Sequence, residues 1–99
     1  MIIEFESDVF RWSARDDMAL YLTAVPPELS EDIREIPRPY RGFGSVRVRA
    51  SIGGSEWATS IFPDSKTGSY VLPLKKSVRD AEGLVEGGPV VVRIELLDA

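Results

Sequence analysis

The feature that most constrains this chain is a pair of strand-like segments joined by Gly53-Gly54. Apolar and polar side chains alternate through residues 45–52, and a return segment follows the glycines at residues 56–62. An alternation with a period of two is typical of a β-strand that buries one face. Two adjacent glycines favour a two-residue turn, since both accept positive φ angles. This stretch therefore predicts an antiparallel hairpin in a mainly β fold.

The position of the turn fixes the expected register of the hairpin. A turn at the two glycines places Ala50 opposite Trp57 and Val48 opposite Thr59. Because cross-strand neighbours share a face of the sheet, we expect Trp57 to point into the core above the small Ala50. The side chains expected to join it there are Val46, Val48 and Ile52. Those expected to face outward are Arg47, Arg49, Ala58, Ser60 and Phe62.

The remaining sequence predicts four more strands in the same domain. They are expected at residues 2–10, 18–25, 69–73 and 89–97. A chain of 99 residues is long enough for one hydrophobic core, so we expect a single domain over residues 1–99. About six strands in so small a domain predict a closed or partly open β-barrel, because closure removes exposed strand edges. A ligand would then have to enter at a mouth of the barrel.

Two short helices are expected between the strands. The first should begin at Ser30, whose hydroxyl group suits a helix N-cap, and should end before Pro37. The side chains that recur at helical spacing and form its apolar side are Leu29, Ile33 and Ile36. The second helix is expected over residues 75–82, with Gly83 closing its C-terminal end. Asp16-Asp17 and Gly87-Gly88 are further turn signals.

The composition excludes several kinds of chemistry. The chain has no cysteine and no histidine, which excludes disulfides, thiolate metal sites and a Ser-His-Asp triad. The acidic residues are dispersed, so no metal site or other cofactor is expected. A serine nucleophile would need a lysine base, and nothing in the sequence places Lys75 or Lys76 beside Ser60. We therefore expect a non-catalytic protein.

The sequence also indicates where the protein works. The first residues lack the basic and apolar regions of a secretory signal peptide. No apolar run approaches the length needed to span a membrane. We therefore expect a cytoplasmic protein that does not bind a membrane.

Positive charge is concentrated in the middle of this acidic chain. The formal net charge is −4, yet residues 36–79 carry eight basic and two acidic side chains. One interpretation is that basic central strands pair with acidic neighbours, because opposite charges across a strand pair are mildly favourable. The other interpretation is an anion-binding patch on an acidic protein. The residues that mix basic and aromatic character as nucleic-acid surfaces do are Arg38, Tyr40, Arg41, Phe43, Arg47 and Arg49.

Two blocks of the sequence carry a family resemblance. Residues 57–63 read Trp-Ala-Thr-Ser-Ile-Phe-Pro, and residues 70–79 read Tyr-Val-Leu-Pro-Leu-Lys-Lys-Ser-Val-Arg. Together with the opening residues 5–10 and the hairpin glycines, they resemble the bacterial family called domain of unknown function 1905. The resemblance covers nearly the whole chain and implies a small β-barrel without a settled activity. One departure is Gly87-Gly88-Pro89, where the family usually carries Gly-Asp before the last strand.

The candidate site residues lie in or near these blocks. Lys75 and Arg79 are four residues apart on one helix face and could receive a phosphate or carboxylate; the alternative is a solvated helix face. Trp57 and Thr59 share a strand face and could form a pocket wall; the alternative is a core tryptophan. The full predicted ligand-binding set is Arg41, Trp57, Thr59, Ser60, Lys75 and Arg79.

Two functions are consistent with these candidates. The first is a binding module that holds a small anionic or polar ligand, or a peptide, in a groove beside the signature blocks. The second is a nucleic-acid-binding or antitoxin-like partner protein, which the basic middle segment would support. The net negative charge of the chain opposes the second interpretation, because phosphate contacts dominate nucleic-acid affinity.

Overall fold

The computed structural model describes residues 1–15, 18–36 and 44–97, and these residues form a closed β-barrel of six strands with two short helices. The strands are β1 (Ile2–Arg15), β2 (Met18–Ala24), β3 (Val46–Ile52), β4 (Ser55–Pro63), β5 (Tyr70–Pro73) and β6 (Pro89–Leu96). The helices are α1 (Pro27–Glu35) and α2 (Lys76–Glu82). Around the barrel the order is β1-β2-β5-β4-β3-β6, and β6 returns to β1. The predicted mainly β barrel is confirmed.

The central hairpin has the predicted register. In it, Ala50 lies opposite Trp57 and Val48 opposite Thr59. The Trp57 side chain is 8% exposed and belongs to the core. The core side chains of β3 and β6 alternate with exposed ones, as the period of two predicts. They are Val46, Val48, Ala50, Ile52, Val90, Val92, Ile94 and Leu96.

The turn of this hairpin depends on Gly53. Its φ angle is 57°, in the left-handed region. A Cβ atom at this position would collide with Oε1 of Glu82, a carboxylate that accepts a 2.7 Å hydrogen bond from the Ser55 hydroxyl. Gly54 does not have a positive φ angle in this range, and a Cβ atom there would meet nothing within 4 Å. Only the first glycine of the pair therefore uses its special conformational freedom.

Replacing Gly53 by alanine should lower the free energy of unfolding by about 1–2 kcal/mol, because a left-handed conformation is costly for a residue with a Cβ atom. The same replacement at Gly54 should change it by less than about 0.5 kcal/mol. Urea denaturation of both variants measures the difference. Equal effects at the two positions would contradict the assignment of the turn strain to Gly53.

The first helix begins earlier than predicted. The structure starts α1 at Pro27, with Pro26 at the N-cap position, so Ser30 lies inside the helix and does not cap it. A proline in the first turn is favoured, because its missing N–H would have no partner there anyway. The buried Ser30 hydroxyl instead donates to the Val25 carbonyl (3.1 Å) and accepts from the Tyr70 amide (3.0 Å). Ser30 therefore ties α1 to β5.

The apolar side of α1 and the end of α2 are as predicted. Ile33 is fully buried, and Leu29 and Ile36 pack partly buried against the core. In the second helix, Gly83 takes the left-handed conformation at the C-cap, with a φ angle of 65°. Lys75 is the N-cap residue of that helix. Pro37 and the predicted turn at Asp16-Asp17 lie outside the described residues.

Charges of opposite sign face each other on the outer surface of β1, β6, β3 and β4. Arg93 lies opposite Glu4 with 3.9 Å between side-chain nitrogen and oxygen. Arg49 lies opposite Glu95 and is 3.6 Å from the Glu56 carboxylate. For these arginines the structure supports the interpretation of cross-strand pairing. Exposed pairs of this kind add little stability, but they leave less unpaired positive charge on this face.

Candidate functional site

The barrel wall has a gap where β5 ends. This strand has four residues, whereas β4 has nine. β5 pairs with β4 only at Phe62 and Pro63. On its other side it pairs with β2, and the last bond runs from the Leu74 amide to the Tyr21 carbonyl (2.8 Å). Beyond this point, no strand of the described residues pairs with β2 and β4 together.

Pro73 explains why β5 stops. The pairing of Phe62 with Val71, continued by two residues, brings residue 73 opposite Ser60. Alternate residues of a strand direct their backbone groups to opposite neighbours, and Leu74 already points to β2. The backbone nitrogen of Pro73 therefore faces the Ser60 carbonyl, but a proline has no N–H to donate. The ladder ends, and the chain turns into α2.

The gap is an open slot with a volume of about 370 Å³. We call it the slot, and its lining residues are Leu20, Tyr21, Trp57, Ala58, Thr59, Pro73, Leu74, Lys75 and Arg79. Its size is within the range of about 300–1,000 Å³ that small-molecule sites occupy. Neighbouring residues of β4, Ala58 and Thr59, both line it, and successive strand residues point to opposite faces. The slot is therefore bordered by consecutive residues of β4 at the point where β5 ends, and entry of a ligand at a mouth of the barrel stays a prediction.

Arg79 is held in place at the slot. Its Nε donates to the Leu74 carbonyl (3.0 Å), and its guanidinium carbon is 4.0 Å from the centre of the Tyr21 ring. The side chain is half-buried. A guanidinium group carries five N–H donors, so one hydrogen bond and one ring contact leave others for a ligand. Their direction is fixed before any ligand arrives.

Lys75 brings a second positive charge to the slot. It is exposed and precedes the first turn of α2. Among the residues that the structure describes, neither Lys75 nor Arg79 forms an ion pair within 4 Å. The neighbouring Lys76 differs, since its ammonium group is 2.7 Å from the Asp80 carboxylate. The hydrogen bond from Lys76 is the main reason why the pKa of Asp80 lies below its usual value.

Trp57 and Thr59 form one wall of the slot. Most of the Trp57 ring is buried in the core, and its remaining surface borders the opening. Thr59 is half-buried, and within the described part of the chain its hydroxyl group makes no hydrogen bond. An apolar wall with a few polar groups is the usual composition of a ligand site. The slot combines such a wall with two cations.

The predicted site residues are thus brought together in part. Trp57, Thr59, Lys75 and Arg79 all line the slot. Ser60 does not line it; its side chain is half-buried on the opposite face from Thr59, as the strand period predicted. Its role in binding stays a prediction. Arg41 lies outside the described residues, as do Arg38, Tyr40 and Phe43.

The sequence did not indicate the other side of the slot. Leu20 and Tyr21 come from β2, which lies far from β4 in the sequence. The apolar run of residues 18–25 identified β2 as a strand. It could not show that β2 borders β4, because that depends on the order of strands around the barrel and on the early end of β5.

The slot is lined by apolar, hydroxyl and cationic side chains. Its lining contains no carboxylate and no serine. Within residues 1–15, 18–36 and 44–97, no group of three or more acidic side chains is placed to hold a metal ion. Over the same residues, no helix has the length and apolar character needed to cross a membrane. The arrangement is suited to holding an anion against an apolar wall.

Comparison with known proteins finds one protein family whose sequence profile matches most of the chain. The sequence profile of the family described as "Domain of unknown function (DUF1905)" matches residues 5–94. The match includes all of the residues that line the slot. No curated protein sequence is similar enough to the chain to count as a match.

Proposed function

This chain belongs to the DUF1905 family, whose description assigns no activity, and we propose that it is a non-catalytic binding module for a small anionic or polar ligand. The ligand occupies the slot between β2 and β4. The observation that carries the proposal is the pair of cations, Lys75 and Arg79, that border the slot without an ion-pair partner among the described residues.

The geometry of Arg79 supports anion binding. Its side chain is already ordered by Leu74 and Tyr21. Ordering a long side chain normally costs binding free energy, and here the protein has met that cost before binding. A guanidinium group also matches the planar shape of a carboxylate or phosphate. Lys75 adds a flexible charge that can reach the same anion.

The other wall supports a ligand with an apolar part. Trp57, Leu20 and Tyr21 present carbon surface to the slot. The Thr59 hydroxyl group adds a donor and an acceptor that no described residue uses. A ligand with an anionic end and a compact apolar body would therefore meet suitable groups at both ends. Aromatic carboxylates have this chemistry and make good probes.

Thermal unfolding in the presence of small anions tests this proposal. We expect millimolar benzoate to raise the melting temperature, because a ligand that binds only the folded state stabilises it. The neutral benzamide should have a smaller effect at the same ionic strength. Inorganic phosphate and acetate lack the aromatic ring of benzoate. The difference between their shifts in melting temperature and that of benzoate therefore measures the contribution of the apolar wall. No shift from any of these anions would contradict the proposal.

Replacing Lys75 or Arg79 by glutamine should weaken benzoate binding about tenfold, the value of one charge-assisted hydrogen bond. Lys76→Gln is the matched control, since Lys76 is adjacent, exposed and paired with Asp80, and does not line the slot. Isothermal titration calorimetry gives the dissociation constants. An equal loss in the Lys76 variant would point to a general charge effect and against a site in the slot.

A further inference from the structure

We propose that the physiological ligand of the slot is the C-terminal segment of an extended peptide, which adds as a short strand along β4 and places its terminal carboxylate at Lys75 and Arg79. This inference rests on the proposed function and names the class of ligand. Three observations lead to it: the unused backbone edge of β4, the position of the cations at one end of that edge, and the apolar wall beside it.

The hairpin register identifies the unused edge. Ile52 and Ser55 flank a two-residue turn, and residues in that position exchange backbone hydrogen bonds. Backbone hydrogen bonds from β4 to β3 then recur at every second residue of β4, including Trp57 and Thr59. The residues between them, of which Ala58 is the central one, direct their N–H and C=O groups away from β3 and toward the slot.

No strand formed by the described residues pairs with that side of Ala58. β5 reaches β4 only at Phe62 and Pro63, and none of the hydrogen bonds outside the ladders involves Ala58 in the described part of the chain. At Ser60 the facing residue is Pro73, which has no N–H for the Ser60 carbonyl. An edge with unpaired backbone groups is a template for an added strand. Small anions alone would leave these groups unused.

The cations define one end of the added strand. Arg79 contacts Leu74 and Tyr21, so its guanidinium group lies where β5 ends. Lys75 follows Leu74 directly in the chain. β5 blocks one direction from this point. In the other direction the edge of β4 leads past Ala58 as far as Ser55, where the Glu82 carboxylate at the end of α2 accepts a hydrogen bond from the Ser55 hydroxyl, so the space suits a short segment. A peptide whose carboxylate meets Lys75 and Arg79 therefore extends alongside β4 with its C-terminus next to Pro73.

The apolar wall gives the peptide a place for a side chain. In an extended segment, alternate side chains point to the same face. One of them can contact Trp57 and Tyr21, which border the slot. We therefore expect apolar or aromatic residues to be preferred near the C-terminus, while backbone hydrogen bonds make the remaining positions tolerant of sequence.

A peptide library tests the proposal directly. The immobilised protein is incubated with random hexapeptides that end in a free carboxylate, and with the same library carrying C-terminal amides. Bound peptides are identified by mass spectrometry. We expect retention from the free-carboxylate library only, with apolar residues enriched near the C-terminus. Equal retention of both libraries, or of neither, would overturn the inference.

A backbone substitution then tests strand addition. Ala58→Pro removes the N–H that faces the slot but none of the bonds to β3, and proline is tolerated at such edge positions. We expect it to lower the affinity for an enriched peptide about tenfold, whereas Ala58→Ser, which keeps the N–H, should not. N-methylation of the peptide amide that faces Ala58 removes a backbone hydrogen bond from the peptide side, so it tests strand pairing again with the unmodified protein. If neither change weakens binding, the peptide does not pair with β4.

Benzoate binding distinguishes a failure of the peptide inference from a failure of the proposed function. If benzoate binds through Lys75 and Arg79 but neither peptide library is retained, the slot holds small anions and the peptide inference is wrong. If neither benzoate nor peptides bind, both are wrong. N-methylation of the peptide leaves the protein itself unaltered, so benzoate binding to the same protein serves as the internal control. If Ala58→Pro abolishes the binding of both ligands and N-methylation of the peptide has no effect, strand addition along β4 is wrong.

Discussion

Trp57→Ala is expected to lower the free energy of unfolding by about 3–5 kcal/mol, the usual cost of truncating a large buried aromatic side chain. The Trp57 ring is 8% exposed and packs in the core opposite Ala50. No larger neighbour sits across the strand pair to fill the space that the indole leaves. Urea denaturation, analysed with a linear extrapolation, measures the loss.

Phe62→Ala is the matched control for this substitution. Phe62 lies on the same strand but is 41% exposed, so truncating its side chain should lower the free energy of unfolding by less than about 1 kcal/mol. A similarly small cost at Trp57, accompanied by loss of benzoate binding, would instead mark Trp57 as a surface recognition residue. The comparison separates a role in the core from a role in the slot, because Trp57 borders both.

The second large effect is expected at Ser30. Ser30→Ala should lower the free energy of unfolding by about 2–3 kcal/mol, because it removes the acceptor of the Tyr70 amide and the donor to the Val25 carbonyl together. A buried polar group without its partner costs about 1–3 kcal/mol. Both hydrogen bonds are buried, so water cannot easily replace the hydroxyl group.

Ser77→Ala provides the comparison for Ser30. Ser77 is exposed in α2, and alanine favours a helix more than serine does, so this variant should be as stable as the parent protein or slightly more stable. Denaturation midpoints of the two variants, measured in the same buffer, give the contrast. A cost below about 0.5 kcal/mol at Ser30 would show that water substitutes for its hydroxyl group.

Local chemistry accounts for what the sequence predicted correctly. The hairpin register follows from two glycines, the alternating segment before them and the return segment after them, all within twenty residues. The C-terminal end of α2 follows from Gly83 in the same way. In both cases the residues that determine the local structure lie close together in the sequence. The prediction therefore does not depend on the order of the strands around the barrel.

The errors and omissions depend on contacts between distant residues. Ser30 has the neighbours of a typical N-cap residue, but its true partner is Tyr70, on a strand forty residues later. The half of the slot formed by β2 could not be predicted for the same reason. Pro73 was visible in the sequence, but its effect depends on which strand its nitrogen faces. That orientation is a property of the closed barrel.

The pairing of β6 with both β1 and β3 determines how the chain can fold during synthesis. Ile3 pairs with Ile94, and Ala50 pairs with the same residue from the other side. The ribosome makes β1 before β6, so these two neighbours can meet only after all the strands between them have been made. Contacts so distant in sequence slow folding. Until β6 emerges, β1 and β3 each present an unpaired edge, and nascent chains can associate through those edges.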